Sequence, residues 1–169
     1  MTTSVTCIRD AEIDTTALGD LLQSLATSER TALADTDYFD RSWAHDVPNA
    51  PETSKGLKRH GLRFHRIVAV QNGAYVGFLA GRLDSPDGFV AIAAALNPGS
   101  GDGVGPRLLD AFSELARATG KTRLRLMPDS GNGYEDRVRF FKRYGMDWCD
   151  DREGHMCKPL AAVDTAPTN

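Results

Sequence analysis

The chain predicts a single α/β domain, and three observations carry the prediction. An apolar strand at residues 89–96 runs into a glycine ladder, Asn97-Pro98-Gly99-Ser100-Gly101-Asp102-Gly103-Val104-Gly105. The ladder opens a helix with apolar residues at Val104, Leu108, Leu109, Phe112, Leu115 and Ala116, which is helical spacing. Upstream, Arg66-Ile67-Val68-Ala69-Val70 and Tyr75-Val76-Gly77-Phe78-Leu79-Ala80 flank Asn72-Gly73, the strongest short signal for a β-hairpin. The length, 169 residues with 41% hydrophobic, supports one core that folds unaided.

In chain order, residues 4–9 read as a short strand. Asp14-Thr15-Thr16 caps a helix whose apolar face is Leu18, Leu21, Leu22 and Leu25. Residues 32–61 are irregular, with Asp, Asn and Pro breakers around 46–51, and short helical pieces are expected there. After the hairpin, the strand at 89–96 and the helix at 104–119 come a strand at 123–127, a helix near 134–143, and two short strands around 146–150 and 155–158. The domain ends near residue 160, and 161–169 reads as a small, polar, disordered tail. No internal repeat and no second domain is visible.

Composition narrows the function. Formal net charge is −3, so bulk electrostatics does not point to nucleic acid. Charge is segregated, however. Residues 1–52 hold three Arg against ten acids, whereas residues 53–82 hold six Lys or Arg and no acid, with His60 and His65 among them. That basic run is a solvated face set against an acidic one, or a patch for phosphates or an acidic partner. No apolar run reaches membrane length, and Met1-Thr2-Thr3-Ser4 lacks the start of a signal peptide. Cys7, Cys149 and Cys157 are odd in number and form no C-x-x-C pair, so they read as reduced thiols of a cytosolic protein.

A glycine-rich turn at a helix start collects unpaired N–H groups beside the positive end of the helix dipole, which suits phosphate. The residues alone leave this reading beside a plainer one, a flexible turn with glycine at positive φ. Two familiar loops do not fit. A P-loop needs Lys-Ser/Thr after its last glycine, and here Gly105 precedes Pro106-Arg107. The dinucleotide fingerprint needs G-x-G-x-x-G, whereas Gly99, Gly101, Gly103 and Gly105 alternate strictly. Pro106 fits the first helical turn, where a missing N–H costs little.

Four stretches, in order, resemble the GCN5-related N-acetyltransferase (GNAT) superfamily. Cys7-Ile8-Arg9-Asp10-Ala11 is similar to its opening strand, and residues 68–78 to its central hairpin. Ser100-Gly101-Asp102-Gly103-Val104-Gly105 stands where the family carries its pyrophosphate loop, Q/R-x-x-G-x-G/A. Phe140-Phe141-Lys142-Arg143-Tyr144-Gly145-Met146 stands where it carries Phe-Tyr-x-x-x-Gly-Phe. The resemblance spans nearly the whole chain. It implies a GNAT-like domain over 1–160 with a central mixed, mostly antiparallel sheet, splayed at the cofactor slot and flanked by helices.

The activity implied is direct acetyl transfer from acetyl-CoA, or another short acyl-CoA, to an amine acceptor. The amides of Ser100, Gly101, Asp102, Gly103, Val104 and Gly105 would hold the pyrophosphate, with Arg107 and Leu108 adding donors. Ala93, Ala94, Ala95 and Leu96 would be the slot edge, and N–H groups near Leu96 would polarise the thioester carbonyl. The family's general acid, a Tyr, is replaced by Phe141, which has no proton to give; Tyr144 is the substitute on the same helix face, with Tyr134 earlier. Both tyrosines also read as packed aromatics. Ser100 replaces a Gln or Arg, and Asp102 adds a carboxylate near phosphate.

No general base stands out. Asp84 and Asp87 read as turn residues, and His45, His60 and His65 are of the residue type that can serve as a base near neutral pH. Asp37, Tyr38, Asp40 and Trp43 lie in the segment that walls the acceptor pocket in this family, where acidity suits a cationic amine. Two alternatives remain. One is a CoA-binding module that has lost transfer. The other is a transferase acting on nucleic acid or aminoacyl-tRNA through residues 55–66. No metal and no membrane partner is implied, and the family's habits leave a homodimer open.

Overall fold

Burial alternates across two faces of one sheet, and that alternation organises the protein. The computed structural model describes residues 4–27, 41–44, 64–83, 85–97, 101–131 and 133–161. Among the described residues the sheet has seven strands: β1 (Thr6–Arg9), β2 (His65–Gln71), β3 (Ala74–Arg82), β4 (Gly88–Ala95), β5 (Arg123–Leu126), β6 (Asp147–Trp148) and β7 (Met156–Pro159). They lie in the order β1-β2-β3-β4-β5-β7-β6. All pairings are antiparallel except β4 with β5, which is parallel. The sheet is therefore mixed and mostly antiparallel, as expected.

In β2, Ile67 and Ala69 face one layer while Val68 faces the other. One layer is α1 (Thr15–Thr27), which buries Leu18, Leu21, Leu22 and Leu25 against Phe64, Val68, Phe78 and Ile92. Asp14 caps it, its carboxylate accepting from Ala17 N–H at 2.8 Å. The other layer is α2 (Val104–Ala118) and α3 (Tyr134–Tyr144). α2 buries Leu108, Leu109 and Phe112 against Ile67, Leu79, Val90 and Leu124. Asn72 and Gly73 turn the β2–β3 hairpin at φ of 52° and 76°, the left-handed geometry a two-residue turn demands.

α2 sits low on the sheet because glycines lie beneath it. A Cβ on Gly77 of β3 would stand 2.6 Å from Val104, one on Gly81 would enter the Phe112 ring, and one on Gly88 of β4 would stand 2.9 Å from Ala116. These three contacts also set the direction of α2. Its first residue lies at the Gly77 level, beside the C-terminal end of β4, where Gly77 pairs with Ala95.

Two expectations are corrected. Cys149 and Cys157 are joined in a disulfide across the β6–β7 hairpin, with Cα atoms 5.3 Å apart. Their eight-residue separation hides the pairing, because only the hairpin brings them together. Cys7 is free. Trp43 is no pocket wall: it is fully buried, edge-on to Phe64 and Phe78 with centroids 5.1 and 6.0 Å away. Its carbonyl and that of Ala44 accept from the buried Arg66 guanidinium. Among the described residues no helix is long and apolar enough to cross a membrane.

Gly81→Ala should destabilise the fold by ~1–3 kcal/mol, as overpacking against Phe112 does. Gly19→Ala, in the interior of α1 where a Cβ meets nothing within 4 Å, should instead stabilise by ~0.5–1 kcal/mol. Denaturant midpoints for the two variants, moving in opposite directions, are the check.

Candidate functional site

Strands β4 and β5 pair only over Gly88↔Leu124, Phe89↔Arg125 and Val90↔Leu126. β5 then ends, while β4 continues to Ala95. The register with β3 shifts here: Gly81 pairs with Val90 and Ala80 with Ile92, which leaves Ala91 as a bulge at the point where the strands part. A fork results. Beyond it, Leu96 N–H donates to Val76 C=O at 3.0 Å. Strand alternation then turns Ile92 and Ala94 toward β3, and the N–H and C=O groups of Ala93 and Ala95 toward the open side. The Leu96 amide is thus committed to the sheet, contrary to the expectation that it faces the slot. The amides that do face it belong to Ala93 and Ala95.

The start of α2 stands at the mouth of this fork. Gly103 is its N-cap, left-handed at φ 75°, and Gly101 is left-handed at 82°. Pro106 has no N–H, and Arg107 N–H donates to Gly103 C=O at 3.1 Å. The N–H groups free of intrahelical partners are therefore those of Gly103, Val104 and Gly105, gathered at the positive end of the dipole. Arg107 lends no main-chain donor, and Leu108, 1% exposed, points into the core. Gly105 has a packing reason: a Cβ there would stand 2.9 Å from Phe140 of α3. Asp102 is exposed, and Ser100 lies outside the described residues.

α3 packs beside α2 on the same face of the sheet. Phe140 and Phe141 pack edge to face at 5.3 Å against the same core as α2. Tyr144 does not present a free hydroxyl. It donates to the Asp110 carboxylate at 2.7 Å, and burial, then that bond, push its pKa well above the ordinary value of 10.0. Asp110 lies seven residues into α2 from the N-cap, roughly 10 Å along the axis. Lys158 caps the assembly, its Nζ 4.1 Å from the Tyr144 ring centre and 3.1 Å from the Tyr144 carbonyl. Tyr134 is exposed at the start of α3.

The sheet face away from α2 carries a polar cluster that local sequence does not signal. Asp87 accepts from Arg123 Nε and Nη2 at 2.9 and 2.8 Å and from Arg125 Nε at 3.0 Å. The Arg123 hydrogen bond chiefly holds the Asp87 carboxyl below its ordinary range. Arg123 also grips Asp151. Arg125 lies over the Phe89 ring at 4.6 Å, and its Nη1 meets His155 Nδ1 at 2.7 Å. Burial first, then the Arg125 charge, push the His155 pKa down. His65 pairs with Asp10 at 3.6 Å, away from the fork. Asp37, Tyr38, Asp40, His45, His60, Asp84 and the basic residues 55–63 lie outside the described residues.

No protein-family model and no curated protein sequence matches the chain. Solved structures do match. The PaiA N-acetyltransferase of Thermoplasma acidophilum, in complex with coenzyme A, superposes with TM-score 0.64 at 14% identity over 92% of this chain and 99% of its own. A GNAT-family acetyltransferase of Staphylococcus aureus Mu50 gives 0.62 at 13% identity over 94% and 100%. Ard1 of Thermoplasma volcanium gives 0.58 at 20% identity over 93% and 98%. The chain has the GNAT fold. In this GNAT fold the fork between β4 and β5 and the start of α2 are neighbours in the chain, because only residues 96–103 join β4 to α2.

Acid should unfold the protein in two stages. The unfolded chain protonates His155 near 6.5, but the folded chain resists until lower pH, so stability falls as pH drops below 6.5. Asp87, with its carboxyl held low, keeps its contribution above 3.8 and loses it as pH falls through the folded value. Melting temperature against pH should show both stages, and His155→Gln should flatten the first while leaving the second. Parallel curves for the two proteins between about pH 7 and 5 would remove the His155 assignment.

Proposed function

We propose that this protein is an acyl-CoA-dependent N-acetyltransferase that moves an acetyl group directly from acetyl-CoA to an amine. One observation carries the reading: the unpaired edge of β4 at Ala93 and Ala95 opens beside the donor-rich start of α2. Such a pairing fits a long ligand with a phosphate head and an amide-bearing arm. The diphosphate would rest on the amides of Gly103, Val104 and Gly105, with Ser100, Gly101 and Asp102 leading in, while the arm would lie along Ala93 and Ala95. When bound, acetyl-CoA supplies a thioester as electrophile.

The chain's own residues then orient, exclude water and donate hydrogen bonds. The Ala95 or Ala93 N–H is aimed into the slot, where a donor stabilises negative charge growing on a carbonyl oxygen. Phe141 gives an apolar wall and no proton. Tyr144 is a poor acid with its pKa raised and its hydrogen on Asp110. With no acid placed at the sulfur, the neutral amine would form the C–N bond as the C–S bond breaks, and the departing thiolate would take the proton that the nitrogen gives up, directly or through water, as a thiol of ordinary pKa, about 8.5, permits. Asp37, Tyr38 and Asp40 are proposed as contacts to the cationic form of the acceptor. A second reading, carrier binding without transfer, draws support from Phe141 having no proton and Tyr144 having committed its own.

Calorimetry with acetyl-CoA and release of free thiol with an amine panel separate these readings. Heat with turnover supports transfer, heat without turnover of any amine supports the module, and no heat at millimolar carrier sinks both. Gly103→Val forces a β-branched residue into left-handed backbone and should weaken carrier binding about tenfold or more, the equivalent of ~1.4 kcal/mol. Phe141→Tyr should bind the carrier as the parent does. Unchanged affinity in the Gly103→Val variant would discard the loop assignment.

A further inference from the structure

We infer that the Cys149–Cys157 disulfide is a redox latch on the closed end of the fork, where β4 and β5 still pair. Closed, it holds Asp151 and His155 on the two arginines of β5; opened by a dithiol, it lets both go. Its effect on carrier binding rests on the transferase reading. The sulfurs close a loop, residues 150–156, that reaches β5 at two points. Asp151 accepts from Arg123 at 2.8 and 3.0 Å, and His155 Nδ1 meets Arg125 Nη1 at 2.7 Å. Cys157 itself pairs with Arg125. The next rung, in which Leu126 pairs with both Met156 and Val90, is the last before β4 and β5 part.

Little besides the disulfide holds that loop. Among the described residues β6 stands at the sheet edge and pairs with β7 over two residues, too few for a hairpin to persist alone. Met146 is buried just before it, but Asp147, Trp148 and residues 150–154 are exposed, so no apolar side chain pins the loop. Its main-chain bonds are local: Cys149 N–H donates to His155 C=O at 2.9 Å and His155 N–H to Arg152 C=O at 3.3 Å. The Asp151 side chain is 59% exposed, so water competes for its ion pair. A carboxylate oxygen of Asp151 also lies within 4.8 Å of both sulfurs. A thiolate formed there meets a like charge, which favours release. Both cysteines are half-buried, within reach of a small dithiol.

Opening is an exchange. A thiolate of the dithiol attacks one sulfur, the S–S bond breaks, and the second thiol displaces the mixed disulfide. Two electrons and two protons pass to the cysteine pair as the dithiol closes to a cyclic disulfide. Register carries the effect to the fork. Arg125, 4% exposed, loses the partner of its Nη1 when His155 leaves, and a buried donor without an acceptor weakens the strand that bears it. β4 and β5 share only three pairings besides the Asp87 clamp, so their last rung loosens. β7 stays on β5 through four pairings, which keeps the opening local.

The test compares the oxidised protein with the same protein reduced by dithiothreitol and with Cys149→Ser/Cys157→Ser, which is permanently open. Cys7→Ser, kept oxidised, controls for the free thiol. His155 has its pKa held below 6.5 by burial first, then by the Arg125 and Arg152 charges, so on release its ring should titrate closer to 6.5 by NMR. Amides of β5 should exchange about tenfold faster in the open forms, and those of α1 should not change. Acetyl-CoA should bind the open forms about three- to tenfold more weakly. An unchanged His155 titration and unchanged β5 exchange overturn the latch. So does exchange that quickens throughout the chain, α1 included, which makes the bond a general staple. Equal carrier affinity in both redox states overturns the coupling to the fork. An oxidised protein that binds no carrier counts against the transferase reading alone, and the His155 and exchange measurements still decide the latch.

Discussion

The seating of α2 on three glycines is the constraint from which the rest of this structure follows. Gly77, Gly81 and Gly88 remove side chains where Val104, Phe112 and Ala116 come down. Close packing converts that missing volume into a short distance between helix and sheet, and interiors tolerate little deviation from it. The distance sets the layout of the β4 end as well as the packing. It brings the N-cap at Gly103 level with the end of β4, so that main-chain donors and a free strand edge share one space.

That edge is free because two parallel strands differ in length. β5 stops at Leu126 while β4 runs on to Ala95, and the Ala91 bulge bends β4 at the parting. An open edge in a sheet interior would ordinarily be a liability, since its polar groups lack partners. Here the start of α2 stands beside it, through the contact that Gly77 allows with Val104. The opposite face takes a different solution. There Asp87, Arg123 and Arg125 tie the starts of β4 and β5 together, and His155 brings in β7.

Local signals were legible in proportion to how local their physics is. The Asn72-Gly73 turn, the Asp14 cap and the apolar stripe of α2 each arise within a few residues, and each appears where the pattern puts it. Charge networks did not announce themselves. Asp87 looks like a turn aspartate because its partners lie 36 and 38 residues away. Tyr144 looks available until Asp110, 34 residues earlier, accepts its hydrogen bond. The cysteines look reduced because spacing alone does not report that β6 and β7 form a hairpin. Trp43 sits in an irregular acidic stretch, which gives no hint that it is fully buried.

By itself the amino-acid order determined the kind and order of the described strands and helices and the place of the glycine ladder. Hydrophobic period and turn chemistry are properties of neighbouring residues, so they survive in one dimension. Which amides of β4 turn away from β3 and which tyrosine has its hydroxyl engaged were decided only in three dimensions. Each depends on strand register or on one helix crossing another, and a shift of one residue would turn the Ala93 and Ala95 amides back toward β3.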